Sequence, residues 1–139
     1  MTVTAALLDL LATEHQAIYA YGVLGAQLDE QTRAIALASV TAHRASRDAL
    51  QQRLRDRGVG TPGPEAAYDL AVANAPAAVL LAVRVETELG VRWRDLVAQT
   101  TDEGLRSLAV QGLSDCAVRA TTWRTKAGVP PTVALPGLA

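Results

Sequence analysis

The chain is poor in the residues that crosslink proteins or bind polyanions. It has one cysteine, Cys116, so no intramolecular disulfide can form. Its 13 basic residues are balanced by 14 acidic ones, and it contains no block of basic residues. Because nucleic-acid binding requires a concentrated positive surface, this balance predicts that nucleic acid is not a partner.

Long hydrophobic runs are also lacking. The longest, 75–83, is far shorter than the roughly 20 residues of a membrane-spanning helix. The N-terminal segment has no basic region and is interrupted by Asp9, so we expect neither a signal peptide nor membrane association. Half of the residues are hydrophobic, which is enough for a core at this length. We therefore expect one domain, 1–139, in a cytoplasmic protein.

Four segments carry the alternating three- and four-residue spacing of apolar side chains that is typical of bundle helices. The segments are 4–28, 30–57, 75–99 and 102–127. Residues that favour helix ends flank them, namely Asp29, Asn74 and Thr101 at the starts and Gly58 and Gly128 at the ends. The pattern predicts an all-α four-helix bundle.

The lengths of the connections predict how the helices are arranged. The first and third connections are only a few residues long, so each should join two antiparallel helices in a hairpin. The middle connection, 58–74, reaches about 55 Å when extended, whereas a 25-residue helix is about 37 Å long. We therefore expect two antiparallel hairpins joined by one long crossover, followed by an irregular, proline-rich tail at 128–139.

Charged and imidazole side chains interrupt the apolar stripes. Glu14, His43 and Glu86 each lie on the stripe of a different helix, near its middle. Burying such groups without partners costs roughly several kcal/mol each. Because the middles of the helices coincide in a bundle, these side chains should meet, with Asp115 of the fourth helix as a further candidate. Inward carboxylates and imidazole are how bundles bind iron or manganese.

Three local segments resemble the ferritin-like superfamily. They are EHQAIYAYG at 14–22, HRASRD at 43–48 and VE at 85–86. The resemblance covers roughly residues 4–127, and it is strongest to an uncharacterised group of small bacterial ferritin-like domains of unknown function. It implies a ferritin-like bundle in which a lone Glu on helices one and three and a Glu-x-x-His motif on helices two and four bind two metal ions.

The chain matches only part of that ligand set. Glu14 and Glu86 occupy the lone-Glu positions, and His43 occupies the His position of the second helix. Val40 stands where the second helix should supply a bridging Glu, and Val118 stands where the fourth should supply His. We therefore predict an incomplete di-metal site rather than a full di-iron centre.

Three interpretations of the inward polar residues stay open. In the first, Arg47 and Arg119 neutralise Glu14 and Glu86, giving a buried network without metal. In the second, Glu14, His43 and Glu86 bind one iron or manganese ion, with Asp115 as a further candidate ligand. In the third, the register of the stripes is shifted by one residue and some of these groups lie at the surface.

Three functions are compatible with the sequence. The first is a non-catalytic bundle without a cofactor, which acts through its surface or as a homodimer. The second, implied by the resemblance, is a metal-binding oxidase or iron-handling protein. The third is a small-ligand binder with a cavity near Gly22, Gly90 and Gly112. No nucleophilic triad or phosphate-binding loop is present in the sequence.

Overall fold

The predicted number and type of elements are confirmed. A computed structural model describes residues 1–138, so the last residue of the predicted tail, Ala139, lies outside the described residues. The helices are α1 Val3–Gly25, α2 Glu30–Asp56, α3 Ala75–Gln99 and α4 Glu103–Ala127. No strand occurs within residues 1–138, and no helix in this part of the chain is long and apolar enough to cross a membrane.

Side chains cap the helices as the sequence predicts, with one exception. Asp29 and Asn74 accept hydrogen bonds from backbone N–H groups in the first turns of α2 and α3. On α4 the cap is Asp102, which accepts from the backbone N of Leu105 at 2.7 Å. The prediction of Thr101 was therefore wrong by one residue, because α4 begins at Glu103 and aspartate is an equally good N-cap.

The first helix ends earlier than its periodicity predicts. It stops at Gly25, and residues 26–28 form a turn. Arg33 of α2 donates from Nε to the Gly25 carbonyl at 2.9 Å and from an Nη to the Leu28 carbonyl at 2.8 Å. These bonds tie α2 to the last carbonyl of α1 and to the turn that follows it, so they close the first hairpin.

Contacts between α1 and α3 establish the topology. Asp9 pairs with Arg92 at 3.1 Å near one end, and Leu24 lies in the same apolar cluster as Val79 near the other. These two helices are therefore antiparallel, and the short loops make the α1–α2 and α3–α4 pairs antiparallel as well. The segment 57–74 then crosses the bundle and starts α3 parallel to α2, as predicted.

Two apolar clusters fill the bundle, one toward each end. The first includes Leu10, Leu50, Leu96 and Leu105, and the second includes Leu24, Ala36, Ala82 and Trp123. Between them, at mid-height, lie the polar side chains that the sequence placed on the apolar stripes. The fold therefore surrounds any charged group there with hydrocarbon and excludes water from it.

Helices α3 and α4 are in close contact at Gly112. A Cβ built on this glycine would overlap the ring of Trp93, so no larger residue fits without a shift. The third predicted function placed a cavity near Gly22, Gly90 and Gly112. Gly112 permits close contact, whereas Gly22 has open space around it and lies on the surface.

Candidate functional site: a buried row of charged groups

Three helices bring their polar side chains to one point in the interior. His43 of α2 lies between Glu14 of α1 and Glu86 of α3, and all three are at most 1 % exposed. The imidazole Nδ1 is 2.8 Å from Glu14 Oε2, and Nε2 is 2.8 Å from Glu86 Oε1. With Arg119 of α4, described below, these residues form what we call the charged row.

The imidazole of His43 is held in its protonated form. Burial lowers the pKa of this group, but the hydrogen bonds and negative charges of Glu14 and Glu86 outweigh that effect and raise the pKa to about 9. At neutral pH His43 is therefore an imidazolium ion. Such an ion donates from both ring nitrogens and has no lone pair to offer as an acceptor or ligand.

Glu86 has the richest set of hydrogen-bond donors. Besides His43, the hydroxyl of Tyr21 donates to its Oε1 at 2.6 Å, and Nε of Arg119 donates to its Oε2 at 3.1 Å. Burial raises the pKa of this carboxyl, but the hydrogen bond and charge of His43, the charge of Arg119 and the Tyr21 hydroxyl together hold the pKa below its usual value. Glu86 is therefore a carboxylate.

Glu14 is the less satisfied of the two acids. Its Oε2 meets His43, but its Oε1 is buried without a hydrogen-bond partner. Burial raises the pKa of Glu14 by more than the neighbouring imidazolium lowers it. The imidazolium of His43 therefore lies between Glu86, whose negative charge is well stabilised, and Glu14, whose negative charge is less well stabilised.

On α2, the structure does not bring Arg47 to the acids as the sequence predicted. Its guanidinium pairs with the neighbouring Asp48 at 2.8 Å and is partly exposed. The buried face of α2 continues from His43 to Leu50 and Leu54. Arg47 lies at the edge of that face, where solvent and an adjacent acid are both within reach.

On α4, the structure likewise does not place Asp115 at the site. This residue is exposed and accepts a hydrogen bond from Gln111 at 2.8 Å. The neighbouring Cys116 turns inward instead and is fully buried, and Arg119, one turn later, reaches Glu86. The contribution of α4 to the interior is therefore a cation rather than a fourth acid.

The residues present do not fit the two-metal centre that the resemblance implies. Val118 of α4 is 67 % exposed, and Val40 of α2 offers no ligand atom. Within residues 1–138, no group of three or more His, Cys, Asp or Glu side chains is arranged to hold a metal ion. Both nitrogens of His43 already face carboxylate oxygens.

Sequence reasoning missed one buried polar residue next to the row. His15 is 6 % exposed, and its Nε2 donates to the Pro62 carbonyl at 3.0 Å. The crossover segment covers it, and no local signal in the sequence predicts that contact. His15 therefore fastens the crossover to α1 and is not part of the charged row.

The same architecture occurs in a solved structure. The crystal structure of a conserved hypothetical protein, rv2844, from Mycobacterium tuberculosis superposes with a TM-score of 0.87 and 34% sequence identity, over 96% of this chain and 95% of that one. No curated protein is recognisably similar. The family model described as "Domain of unknown function (DUF4439)" matches residues 6–139. Because that match spans nearly the whole chain, the protein belongs to this DUF4439 family.

Proposed function

We propose that this protein is a non-catalytic, ferritin-like bundle whose charged row is a structural element that binds no metal. One observation carries the proposal: each ring nitrogen of His43 is 2.8 Å from a buried carboxylate oxygen. A metal ion needs the lone pair of a neutral imidazole. Its binding would therefore require removal of a proton that both acids stabilise.

The charges of the row support the same conclusion. Two carboxylates, Glu14 and Glu86, face one imidazolium and one guanidinium, so the row is neutral when every group is ionised. A buried group whose charge is matched avoids most of the penalty of an unpaired buried ion. Because each helix supplies one member, the row fixes the helices at one height relative to each other.

The metal-free row is tested by metal analysis of protein purified without a histidine tag from cells grown with added iron and manganese. We expect far less than one ion per chain. Stoichiometric iron or manganese that is lost in Glu14→Ala, but kept in the surface variant Asp115→Ala, would establish the metal-binding alternative instead.

We also propose that the protein acts by association, as a homodimer formed through the outer face of α4. Val110 and Val118 on this face are 48 % and 67 % exposed, so a dimer formed here would remove their apolar surface from water. Sedimentation equilibrium should give a dimer that Val118→Glu dissociates and Leu37→Glu, on the outer face of α2, does not. A monomer at every concentration would refute the proposed dimer.

A further inference from the structure

Part of the tail, residues 131–137, lies against α3 and α4 and lines one side of a cavity there. The cavity has a volume of about 110 Å³ and lies next to Glu86, at the α4 side of the charged row. Its wall is mostly apolar, with contributions from Gly90 of α3, from Leu113, Ala117 and Ala120 of α4, and from Val133 and Pro136 of the tail.

A glycine allows the tail to lie directly on α3. Gly137 is buried and has a left-handed backbone with φ of 84°. A Cβ at this position would lie 3.1 Å from the Gly90 carbonyl oxygen and 3.1 Å from Leu113 Cδ1, both tighter than ordinary contact. The tail is therefore seated on the bundle by a specific fit, and it forms a defined wall of the cavity.

The polar groups in the helical wall are already engaged. The hydroxyls of Thr87 and Thr121 donate to carbonyls of their own helices at 2.8 and 3.0 Å. Glu86 accepts from three donors of the bundle. The helices therefore present mainly hydrocarbon to an occupant of this cavity.

Arg124 is the exception. It lines the cavity and is half-buried, yet among the described residues its side chain forms no hydrogen bond or ion pair. It follows Cys116 by eight positions on α4, which places it about 12 Å further along the helix. A guanidinium beside an apolar cavity is suited to a carboxylate, which it can bind through two parallel hydrogen bonds.

We propose that this cavity binds a small monocarboxylate, with the apolar chain inside and the carboxylate on Arg124. A dry cavity of about 150 Å³ holds benzene, so 110 Å³ has room for about four or five carbons. The site does not involve His43 or Glu14, and it stands whether or not the charged row binds metal.

The ligand class is tested by NMR titration of the full chain with straight-chain acids from acetate to hexanoate and with the matching primary alcohols. Affinity should rise about fourfold for each added methylene until about five carbons. Each acid should bind at least about tenfold more tightly than the matching alcohol, because only the carboxylate forms an ion pair with Arg124. Equal binding of acids and alcohols, or no saturable binding, would overturn the proposal.

Variants locate the site. Arg124→Gln should reduce acid binding about tenfold and leave alcohol binding unchanged, whereas Arg44→Gln on the exposed side of α2 should change neither. Ala120→Leu fills the cavity and should abolish binding of both classes, and Gly137→Val should do the same by displacing the tail. Unchanged acid affinity in Arg124→Gln, or in whichever of the other two variants folds, would place the ligand elsewhere and refute the site.

Discussion

Arg119 donates from Nε to Oε2 of Glu86 at 3.1 Å, and this contact ties α4 to the buried acids. The side chain is 19 % exposed, so the charged row runs from the fully buried Glu14 to a group that reaches toward solvent. Through this contact every helix contributes one member of the row. The two acids differ in the number of hydrogen bonds that they accept, since three donors converge on Glu86 and one on Glu14.

The unequal roles of the acids predict unequal effects of removing their charges. Glu86→Gln leaves both His43 and Arg119 short of a counter-charge in the interior, and it should lower the free energy of unfolding by about 3–5 kcal/mol. Glu14→Gln keeps the shape and one acceptor for His43, and it should cost about 1–2 kcal/mol.

Denaturant unfolding at pH 7 measures the free energy of unfolding of both acid variants, with Asp115→Asn as a surface control. A gain of stability in either variant would indicate clustered carboxylates that repel one another. That result would favour the metal-site interpretation over the charged row.

The imidazolium of His43 predicts a loss of stability in mild alkali. Its pKa is raised to about 9 in the folded protein from 6.5 in the unfolded chain, so its contribution is complete below pH 6.5 and disappears as pH rises through 9. The loss should amount to about 3 kcal/mol.

Unfolding curves between pH 6 and 9.5 show this loss, and the decline should be much weaker in His43→Gln. At acid pH the sign reverses for Glu86, whose lowered pKa gives stability that is lost as pH falls through its folded value. If the wild-type protein were as stable at pH 9.5 as at pH 6, His43 would not be an imidazolium in the folded state.

The glycines of α1 and α4 predict opposite responses to one added methyl group. Gly112→Ala forces Cβ into the ring of Trp93 and should destabilise the protein by about 1–3 kcal/mol. Gly22→Ala adds Cβ in open space within a helix and should stabilise it by about 0.5–1 kcal/mol. Thermal melts of the two variants make the comparison, and similar melting temperatures would show that α3 and α4 are not in close contact at Gly112.

The spacing of residues was sufficient to predict the helices and three members of the charged row. On α1, α2 and α3 the apolar stripe is regular, so the inward direction of Glu14, His43 and Glu86 could be read from it. The α1–α2 turn was harder to place, because Arg33 satisfies the carbonyls there from the next helix. Such a contact has no local signature.

The fourth helix was ambiguous for a physical reason. Where α4 packs against Trp93 its inward residue is Gly112, which has no side chain to mark the buried face. The sequence therefore did not define the buried face of α4, and Asp115 was predicted to point inward where Cys116 does. On α2 the sequence placed Arg47 on the same stripe as His43. Residues four positions apart in a helix differ in direction by about 40°, however, and this difference puts Arg47 at the edge of the buried face.

The tail was predicted to be irregular, but its seat on the bundle was not. That seat depends on Gly137 meeting Gly90, two residues far apart in the sequence. The same holds for His15 and the carbonyl of Pro62. The spacing of apolar residues predicts the buried face of a helix. The contacts of a loop or tail cannot be predicted in this way, because they depend on where the helices lie in the folded protein.

The protonation state of His43 tests the central claim most directly. The chain has two histidines, so long-range ¹H–¹⁵N NMR spectra of the wild type and of His15→Gln assign the ring nitrogens of His43 without ambiguity. We predict that both nitrogens carry protons at pH 7 and that their signals do not change when iron(II), manganese(II) or zinc(II) is added. A nitrogen without a proton, or a signal lost or shifted on addition of stoichiometric metal, would contradict a metal-free charged row.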